Sequence, residues 1–282
     1  MQIHWPLIVS TTCQRVGLGL FICAFLGFVC VGSPVGLSVV AWITLVLLAV
    51  GGVASVFHLQ RPKRFFNAFK NPKSHLTQEA IVTPFLGAAL LACGLDGVLY
   101  DLGEASLLAG AVAAALAAAF LVCTGLAYQM GSRPAWNTPF VLVLFLLTAL
   151  SAGTIGVVVL WLVSVGLVPV VFVWAAVAST AVCVACQIAY VARMRSVGYG
   201  VNVEATKEPY RPYFIAWVVM GAAVPLTMLL SLFIIPLAPV ISCVIAWLSC
   251  ACGIAAWTML FFRGAHKVKM FPMYPVDLNL DM

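Results

Sequence analysis

Long apolar stretches alternate with short polar segments along the chain. Five stretches contain no Asp, Glu, Lys or Arg: residues 16–60, 80–95, 105–132, 134–192 and 212–262. A helix that crosses a bilayer needs about 20 mostly apolar residues. Turn-forming segments divide the first, fourth and fifth stretches in two, namely Gly32-Ser33-Pro34, Ser164–Pro169 and Pro236-Leu237-Ala238-Pro239. The pattern therefore predicts eight membrane-spanning helices.

The predicted helices form a single all-α integral membrane domain, an eight-helix bundle that can divide into two four-helix halves. They cover approximately residues 7–31, 35–57, 79–100, 106–130, 139–162, 169–192, 213–236 and 239–262. A basic loop over residues 59–78 joins the second and third helices, and residues 263–282 form a C-terminal tail. Continuous apolar runs favour helices over a barrel, the other structure that satisfies its backbone in lipid.

Composition supports a membrane protein. Hydrophobic residues make up 64% of the 282 residues and charged residues only 8%. Soluble domains carry about 25% charged residues. So few charges cannot cover a soluble surface of this size, which excludes an ordinary cytoplasmic or secreted globule.

The positive charges share one side of the predicted bundle. All 14 Lys and Arg residues fall near the start of helix 1, after helices 2, 4 and 6, or after helix 8. The opposite connections carry only acidic charge, including Asp101 and Glu104. This bias predicts that the basic side, with both termini, faces the cytoplasm of a bacterial inner membrane. An acidic partner protein on the basic side would also explain the bias.

Neither the ten cysteines nor the four histidines have the spacing of a metal or haem site. Cys183-Val184-Ala185-Cys186 is a lone C-x-x-C pair, whereas zinc and iron–sulfur sites need further ligands. A membrane haem is normally held by histidines inside facing helices, but all four lie at or beyond predicted helix ends: His4, His58, His75 and His266. We therefore expect no haem, iron–sulfur cluster or other metal in this chain. Any electrons it handles would come from a diffusible carrier and go to a partner.

Two titratable residues flank the basic loop. His58 ends helix 2 and Glu79 opens helix 3, so antiparallel packing brings them to the same depth on the basic side. Two such groups can accept the two protons that a hydroquinone releases on oxidation. Arg64, in the same loop, can bind an anionic oxygen. Alternatively, His58 and Glu79 are interfacial polar caps without a chemical role.

Three further polar residues lie near the same end of the bundle. Gln14 and Arg15 are two turns into helix 1, and their side chains can snorkel to the basic side. Tyr128, near the end of helix 4, can line a ring-binding pocket, although an aromatic residue there is also typical of a membrane belt. We include all three among the candidate quinol-binding residues.

In their order along the chain, these features resemble the membrane-anchor subunits of bacterial dimethyl sulfoxide reductase-type molybdoenzymes, the DmsC family. The resemblance covers roughly the first 155 residues, whereas helices 6–8 match only in hydrophobicity and length. It rests on Trp5-Pro6-Leu7, Gln14, His58-Leu59-Gln60-Arg61-Pro62 with Arg64, Leu76-Thr77-Gln78-Glu79, Tyr128-Gln129, Pro134-Ala135-Trp136-Asn137 and Phe145–Gly153. In the last helix Ala256-Trp257 replaces the Gly-Arg pair common in the family, which leaves the role of that helix open.

The resemblance implies eight transmembrane helices and no haem. Members of the family oxidise menaquinol to menaquinone and pass the electrons to an iron–sulfur subunit, which feeds a molybdopterin catalytic subunit. His58, Arg64 and Glu79 match the positions that the family uses around its quinol site. By this resemblance we expect a haem-free, menaquinol-oxidising anchor in which His58 and Glu79 accept the protons.

Three alternatives stay open. An anchor of a polysulfide or nitrite reductase-type complex would share the fold, with either direction of electron flow. A secondary transporter or proton channel should have broken helices and a polar site at the membrane midplane, which is almost bare in this sequence. A purely structural anchor is disfavoured only by the pairing of His58 with Glu79.

Overall fold

Eight long helices make up most of the protein in a computed structural model. The structure describes residues 5–32, 36–58, 69, 71–103, 105–196, 210–234 and 238–263, with the backbone alone at 58, 195 and 196. The helices are α1 Trp5–Val31, α2 Leu37–His58, α3 His75–Leu95, α4 Ala105–Ala127, α5 Pro139–Val165, α6 Val170–Ser196, α7 Arg211–Ile234 and α8 Pro239–Arg263. All eight contain stretches long and apolar enough to cross a membrane, and no strand occurs in these ranges. The predicted all-α, eight-helix fold is confirmed.

The third helix is displaced along the chain relative to the sequence prediction. It was predicted over residues 79–100 but runs over His75–Leu95. After it, Gly97 adopts a φ of 73° and Asp96 accepts a backbone hydrogen bond at 2.9 Å, so a compact turn replaces the last predicted helical turn. Because α3 begins four residues early, Glu79 lies one turn inside the helix instead of opening it.

The bundle consists of two four-helix groups that meet at α1 and α5. Within α1–α4 the main contacts are α1 with α2 and α3 with α4, and within α5–α8 they are α5 with α6 and α7 with α8. The contact between α1 and α5 joins the groups, and α8 also touches both of these helices. As a result, α1 and α5 are the most buried helices of the bundle.

The two central helices touch backbone to backbone. A Cβ placed on Gly19 of α1 would lie 2.0 Å from the Ala149 carbonyl oxygen of α5, and one placed on Gly153 would lie 2.2 Å from the Gly19 carbonyl oxygen. Small residues permit such close approach in a membrane, where packing contributes strongly to helix association. This contact fixes the depth of α1 against α5 and therefore positions the side chains one turn nearer the basic side.

A π-helical segment, Val219–Ala223, interrupts α7 where it packs against α8. Such segments leave backbone groups without regular helical partners. The Ser249 hydroxyl of α8 donates to the Met220 carbonyl of this segment at 2.8 Å. A Cβ on Gly253 would lie 2.2 Å from the Gly221 Cα, so the helices touch here as well. The segment thereby holds α8 in place beside the central helices.

Candidate functional site

The first helix carries a polar segment toward the basic side. Residues 10–15 read Ser-Thr-Thr-Cys-Gln-Arg within an otherwise apolar helix, and all of them except Cys13 are buried. Just beyond this segment, Leu18 packs in one cluster with Leu121 of α4. Helical periodicity directs positions 11, 14 and 15 to the same side as Leu18. From this segment Arg15 reaches α5 and α8, whereas the Gln14 side chain packs toward α2.

Arg15 is 3% exposed, and threonines from three helices surround it. Its Nε donates to the Thr11 carbonyl at 2.9 Å, and Nη2 donates to the Thr258 hydroxyl. Contacts of 3.4 Å join Nη1 to the Thr148 hydroxyl and Nη2 to the Thr11 hydroxyl. The guanidinium carbon also lies 4.6 Å from the centre of the Phe145 ring, within cation–π range. The guanidinium is therefore held inside the bundle by α1, α5 and α8, instead of snorkelling to the surface as predicted.

The three threonine hydroxyls have their own protons directed elsewhere. Thr11, Thr148 and Thr258 each donate to the backbone carbonyl four residues earlier, at 2.9, 2.8 and 2.6 Å. A hydroxyl has one proton and two acceptor lone pairs. All three therefore present lone pairs to the guanidinium. We call this arrangement of Thr11, Thr148 and Thr258 the threonine cage, and it is built to receive a positive charge.

The threonine cage does not satisfy Arg15 completely. A guanidinium has five N–H groups, and the four contacts leave one N–H of Nη1 without an acceptor among the described residues. Its electrostatic partners there are Tyr128 and Cys183, not a carboxylate. Neutral hydroxyls orient a charge without neutralising it, and an unpaired buried ion costs several kcal/mol. An intramembrane cation of this kind is a functional candidate.

Glu79 projects from α3 at the same end of the bundle. Its half-buried carboxyl interacts with the Thr124 side chain of α4. The Thr124 hydroxyl also donates to the Phe120 carbonyl at 2.9 Å. With its proton there, Thr124 can accept from a protonated Glu79, and after rotating it can donate to the ionised carboxylate. Thr124 can therefore act as acceptor or donor toward Glu79, as a group that takes up and releases protons requires.

Tyr128 is an electrostatic neighbour of both charged side chains. It follows α4 directly and interacts electrostatically with both Glu79 and Arg15. Its ring packs against Phe145 and Phe262, with centroid distances of 5.3 and 5.4 Å. Its hydroxyl has no hydrogen-bond partner in the described part of the chain. Tyr128 therefore combines a fixed ring with an unused polar group.

The last helix supplies several of the aromatic rings that pack around Tyr128. The Trp136 ring stacks on Phe261 of α8 with centroids 5.0 Å apart and an interplanar angle of 11°. The Trp136 indole also donates to the Phe261 carbonyl at 3.2 Å. Since Thr258 holds Arg15 and Phe262 packs on Tyr128, α8 takes part in the candidate site. The sequence had left the role of this helix open, because the helix departs from the family pattern at Ala256-Trp257.

Gln14 is a second buried polar residue with unused bonding capacity. It is 8% exposed and forms no hydrogen bond with the described residues. Its Cγ packs toward α2, where a Cβ on Gly51 would lie 3.2 Å away. His58, where α2 ends, is seven residues further along, or about 10 Å toward the basic side at 1.5 Å per residue.

The structure brings four of the six predicted site residues to one end of the bundle: Gln14, Arg15, Glu79 and Tyr128. The backbone of His58 ends α2 on the same side, but the His58 side chain lies outside the described residues. Arg64 lies entirely outside them. The close approach of His58 to Glu79 therefore stays a prediction.

Sequence reasoning missed the threonines that hold the charged groups: Thr11, Thr124, Thr148 and Thr258. Threonine in a membrane helix often bonds back to its own backbone, so a single threonine in an apolar run gives no signal of a site. Only Thr11 could have been found, because it lies four residues before Arg15 on the same helix face. The other threonines reach the site through tertiary packing.

The cysteines form no metal-binding cluster in the described ranges. Within the described ranges no three His, Cys, Asp or Glu side chains are close enough together to hold a metal ion. Cys250 lies 3.7 Å from the Ser151 hydroxyl, which in turn lies 2.9 Å from the Thr180 hydroxyl. This small polar cluster joins α5, α6 and α8 deeper in the bundle than the threonine cage.

Comparison with known families finds a match over nearly the whole chain. The family model described as DMSO reductase anchor subunit (DmsC) matches residues 1–263. The matched region contains all eight helices, so the similarity extends beyond the first 155 residues to α6–α8. No curated protein matches this chain significantly.

Proposed function

The chain belongs to the DMSO reductase anchor subunit family, and from this premise we propose that it oxidises menaquinol at the basic end of its bundle. The family indicates a multi-pass membrane subunit that associates with the catalytic and iron–sulfur subunits of DMSO reductase-type complexes, and it implies an interaction with quinone. In our proposal, menaquinol gives two electrons to an iron–sulfur cluster of the partner, which passes them to a molybdopterin catalytic subunit. The two protons go to side chains of this chain, which itself carries no haem, cluster or metal.

The interactions of Glu79 with Thr124 and with Tyr128 support this proposal most directly. Oxidation of a hydroquinone removes two protons, so a proton acceptor must lie within hydrogen-bonding reach of a ring oxygen. Glu79 is four residues from the start of α3, or about 6 Å along the helix. Thr124 can satisfy it before and after it takes a proton. We therefore assign Glu79 as one proton acceptor.

We assign His58 as the second proton acceptor and Arg64 as a contact for a ring oxygen. His58 ends α2, which packs against α3. Both assignments rest on the resemblance of these positions to the quinol site of the family. Gln14 and Arg15 of α1 and Tyr128 after α4 are then further contacts for the ring.

The orientation in the membrane follows from the charges. We propose that the basic side and both termini face the cytoplasm of a bacterial inner membrane, because all 14 Lys and Arg residues are on that side. The partner docks on the basic side as well, since electrons from a ring near Glu79 must reach a cluster just outside this surface. Residues 59–78 and 263–282 are the proposed contacts.

Variants of the two proton acceptors test the function in the assembled complex. Glu79→Gln and His58→Ala should each lower quinol-driven turnover on the order of 10²–10⁴-fold, the usual contribution of a positioned proton acceptor. Turnover driven by a soluble dye that reduces the partner directly should persist. Asp96→Asn is the matched control, because it makes the same kind of carboxyl-to-amide change at the opposite end of α3. It should preserve both activities.

Two results would contradict the proposal. If the quinol-driven and dye-driven activities fall together, Glu79 and His58 hold the complex together instead of handling protons. If neither activity falls, quinol is oxidised elsewhere.

A further inference from the structure

Three polar groups of the candidate site have bonding capacity that the described residues do not use. They are one N–H of Arg15, the Gln14 amide and the Tyr128 hydroxyl. Arg15 and Gln14 are both more than nine-tenths buried. A buried ion with incomplete bonding is costly, so the unused N–H of Arg15 indicates a place where a polar ligand completes the bonding.

We propose that Arg15, held by the threonine cage, binds an anionic oxygen of the substrate ring. The pocket then favours the deprotonated form of its quinol, and acidic naphthoquinones in general, over neutral rings of the same shape. This inference rests on the proposed function and adds to it the charge state of the ligand. Tyr128, an electrostatic neighbour of Arg15, supplies a neutral hydrogen bond beside the cation.

The sign of the charge follows from what surrounds Arg15. The threonine cage offers only neutral acceptors, and the groups that interact with Arg15 electrostatically are the Tyr128 phenol and the Cys183 thiol. Both are ordinarily neutral near pH 7. Glu79 interacts with Thr124 and Tyr128, and it is not one of the electrostatic partners that Arg15 has among the described residues. A ligand that brings one negative charge would therefore neutralise Arg15, which a neutral ligand cannot do.

The inference gives each charged residue a separate part in the oxidation. Glu79 takes the proton of one quinol hydroxyl, so that this O–H bond breaks and the ring oxygen keeps the electron pair as an anion. Arg15 stabilises this anion. Two electrons then leave to the iron–sulfur cluster of the partner, and the second hydroxyl proton passes to the second acceptor. The product is a neutral quinone that no longer pairs with Arg15, so Arg15 favours its release.

A pair of naphthoquinones that differ in charge tests the inference by binding alone. 2-Hydroxy-1,4-naphthoquinone is an anion at neutral pH, whereas 2-methoxy-1,4-naphthoquinone has the same ring and no charge. Affinities are measured from the quenching of tryptophan fluorescence in the purified complex. The wild type should bind the anion on the order of tenfold more tightly, because opposite charges a few ångströms apart attract strongly inside a protein.

Charge variants assign the preference to Arg15. Arg15→Gln should lose the tenfold preference while changing the affinity for the methoxy compound less than about threefold, whereas Arg15→Lys should keep a preference because it keeps the charge. Arg193→Gln, which removes a positive charge where Arg193 lies over Phe140, is the matched control and should behave as the wild type. If Arg15→Gln does not fold, the affinities of the wild type for the two compounds are measured again at a pH at which the hydroxy compound is protonated and neutral. The preference of the wild type for the hydroxy compound must then disappear.

The outcomes separate this inference from the proposed function. If both compounds bind the wild type equally, or if Arg15→Gln keeps the full preference, Arg15 does not recognise an anion, although quinol oxidation through Glu79 could still hold. If neither compound binds and Glu79→Gln also keeps quinol-driven turnover, the proposed function fails together with this inference.

Discussion

Replacing Gly19 by alanine should force apart the two central helices. The added Cβ would lie 2.0 Å from the Ala149 carbonyl oxygen and 3.0 Å from its Cα. A carbon atom and a carbonyl oxygen normally approach to about 3.3 Å, so α1 and α5 must separate or rotate by about 1.3 Å. The blocking atoms belong to the backbone and cannot turn aside. Overpacking usually costs about 1–3 kcal/mol, and we expect the upper end of this range for Gly19→Ala.

The same displacement should reach the candidate site. Arg15 is one turn from Gly19 on α1, and Thr148 directly precedes Ala149 on α5. The contact between the Arg15 Nη1 and the Thr148 hydroxyl is already 3.4 Å long, so a shift of about 1 Å would break it, given that hydrogen bonds weaken beyond about 3.2 Å. Quinol-driven turnover should therefore fall along with stability in Gly19→Ala.

Gly52→Ala provides a matched control on the neighbouring helix. Nothing lies within 4 Å of a Cβ at Gly52, which faces outward from the bundle. Alanine is favoured over glycine in a helix by about 0.5–1 kcal/mol, so this variant should be as stable as the wild type or slightly more. The measure of stability is the thermal midpoint, the temperature at which half of the detergent-purified protein still elutes as a folded peak. All variants are heated at the same rate, because membrane proteins often unfold irreversibly. If Gly19→Ala and wild type have the same midpoint, the contact between α1 and α5 is not as tight as described.

Two further predictions concern cofactors and docking. The purified chain should show no α-band in a reduced-minus-oxidised spectrum, because its histidines lie at or beyond helix ends; a haem band would contradict this. A photo-crosslinking residue within residues 59–78 should join the partner in higher yield than one within residues 101–103, because the proposed quinol site is on the basic side. Equal yields would contradict docking on that side.

The lengths of the apolar runs were enough to predict the fold, but helix ends depended on local detail. Eight spans follow from run length and turn-forming residues, because a bilayer imposes a minimum helix length. The third helix was displaced because His75–Gln78 were assigned to the basic loop, although they form the first turn of α3. At its other end the turn at Gly97 has a positive φ, which a count of apolar residues does not detect.

The charged members of the site could be predicted, whereas their surroundings could not. Ionised groups inside a membrane are rare, so Arg15 and Glu79 are conspicuous in the sequence. Their threonine partners are not conspicuous, because each threonine hydroxyl bonds to its own helix backbone and would be satisfied without a ligand or a cation. Thr258 is 243 positions from Arg15, and only the packing of α8 against α1 and α5 brings them together. Snorkelling was the wrong expectation for Arg15 for the same reason, since the threonine cage was not visible in the sequence.

The threonine cage makes a last prediction that separates its role from ordinary threonine packing. Thr258→Val keeps the side-chain volume but removes the acceptor of the Arg15 Nη2 and leaves a buried cation with poorer bonding. A hydrogen bond to a charged group contributes about 1.5–3 kcal/mol, so the thermal midpoint should fall and the affinity for the anionic naphthoquinone should change. Thr227→Val is the control, because Thr227 also donates to its own helix carbonyl, at 2.8 Å, but faces outward. It should change neither quantity. If the two variants behave alike, the hydroxyl of Thr258 contributes no more than that of an outward-facing threonine, and the threonine cage does not stabilise Arg15.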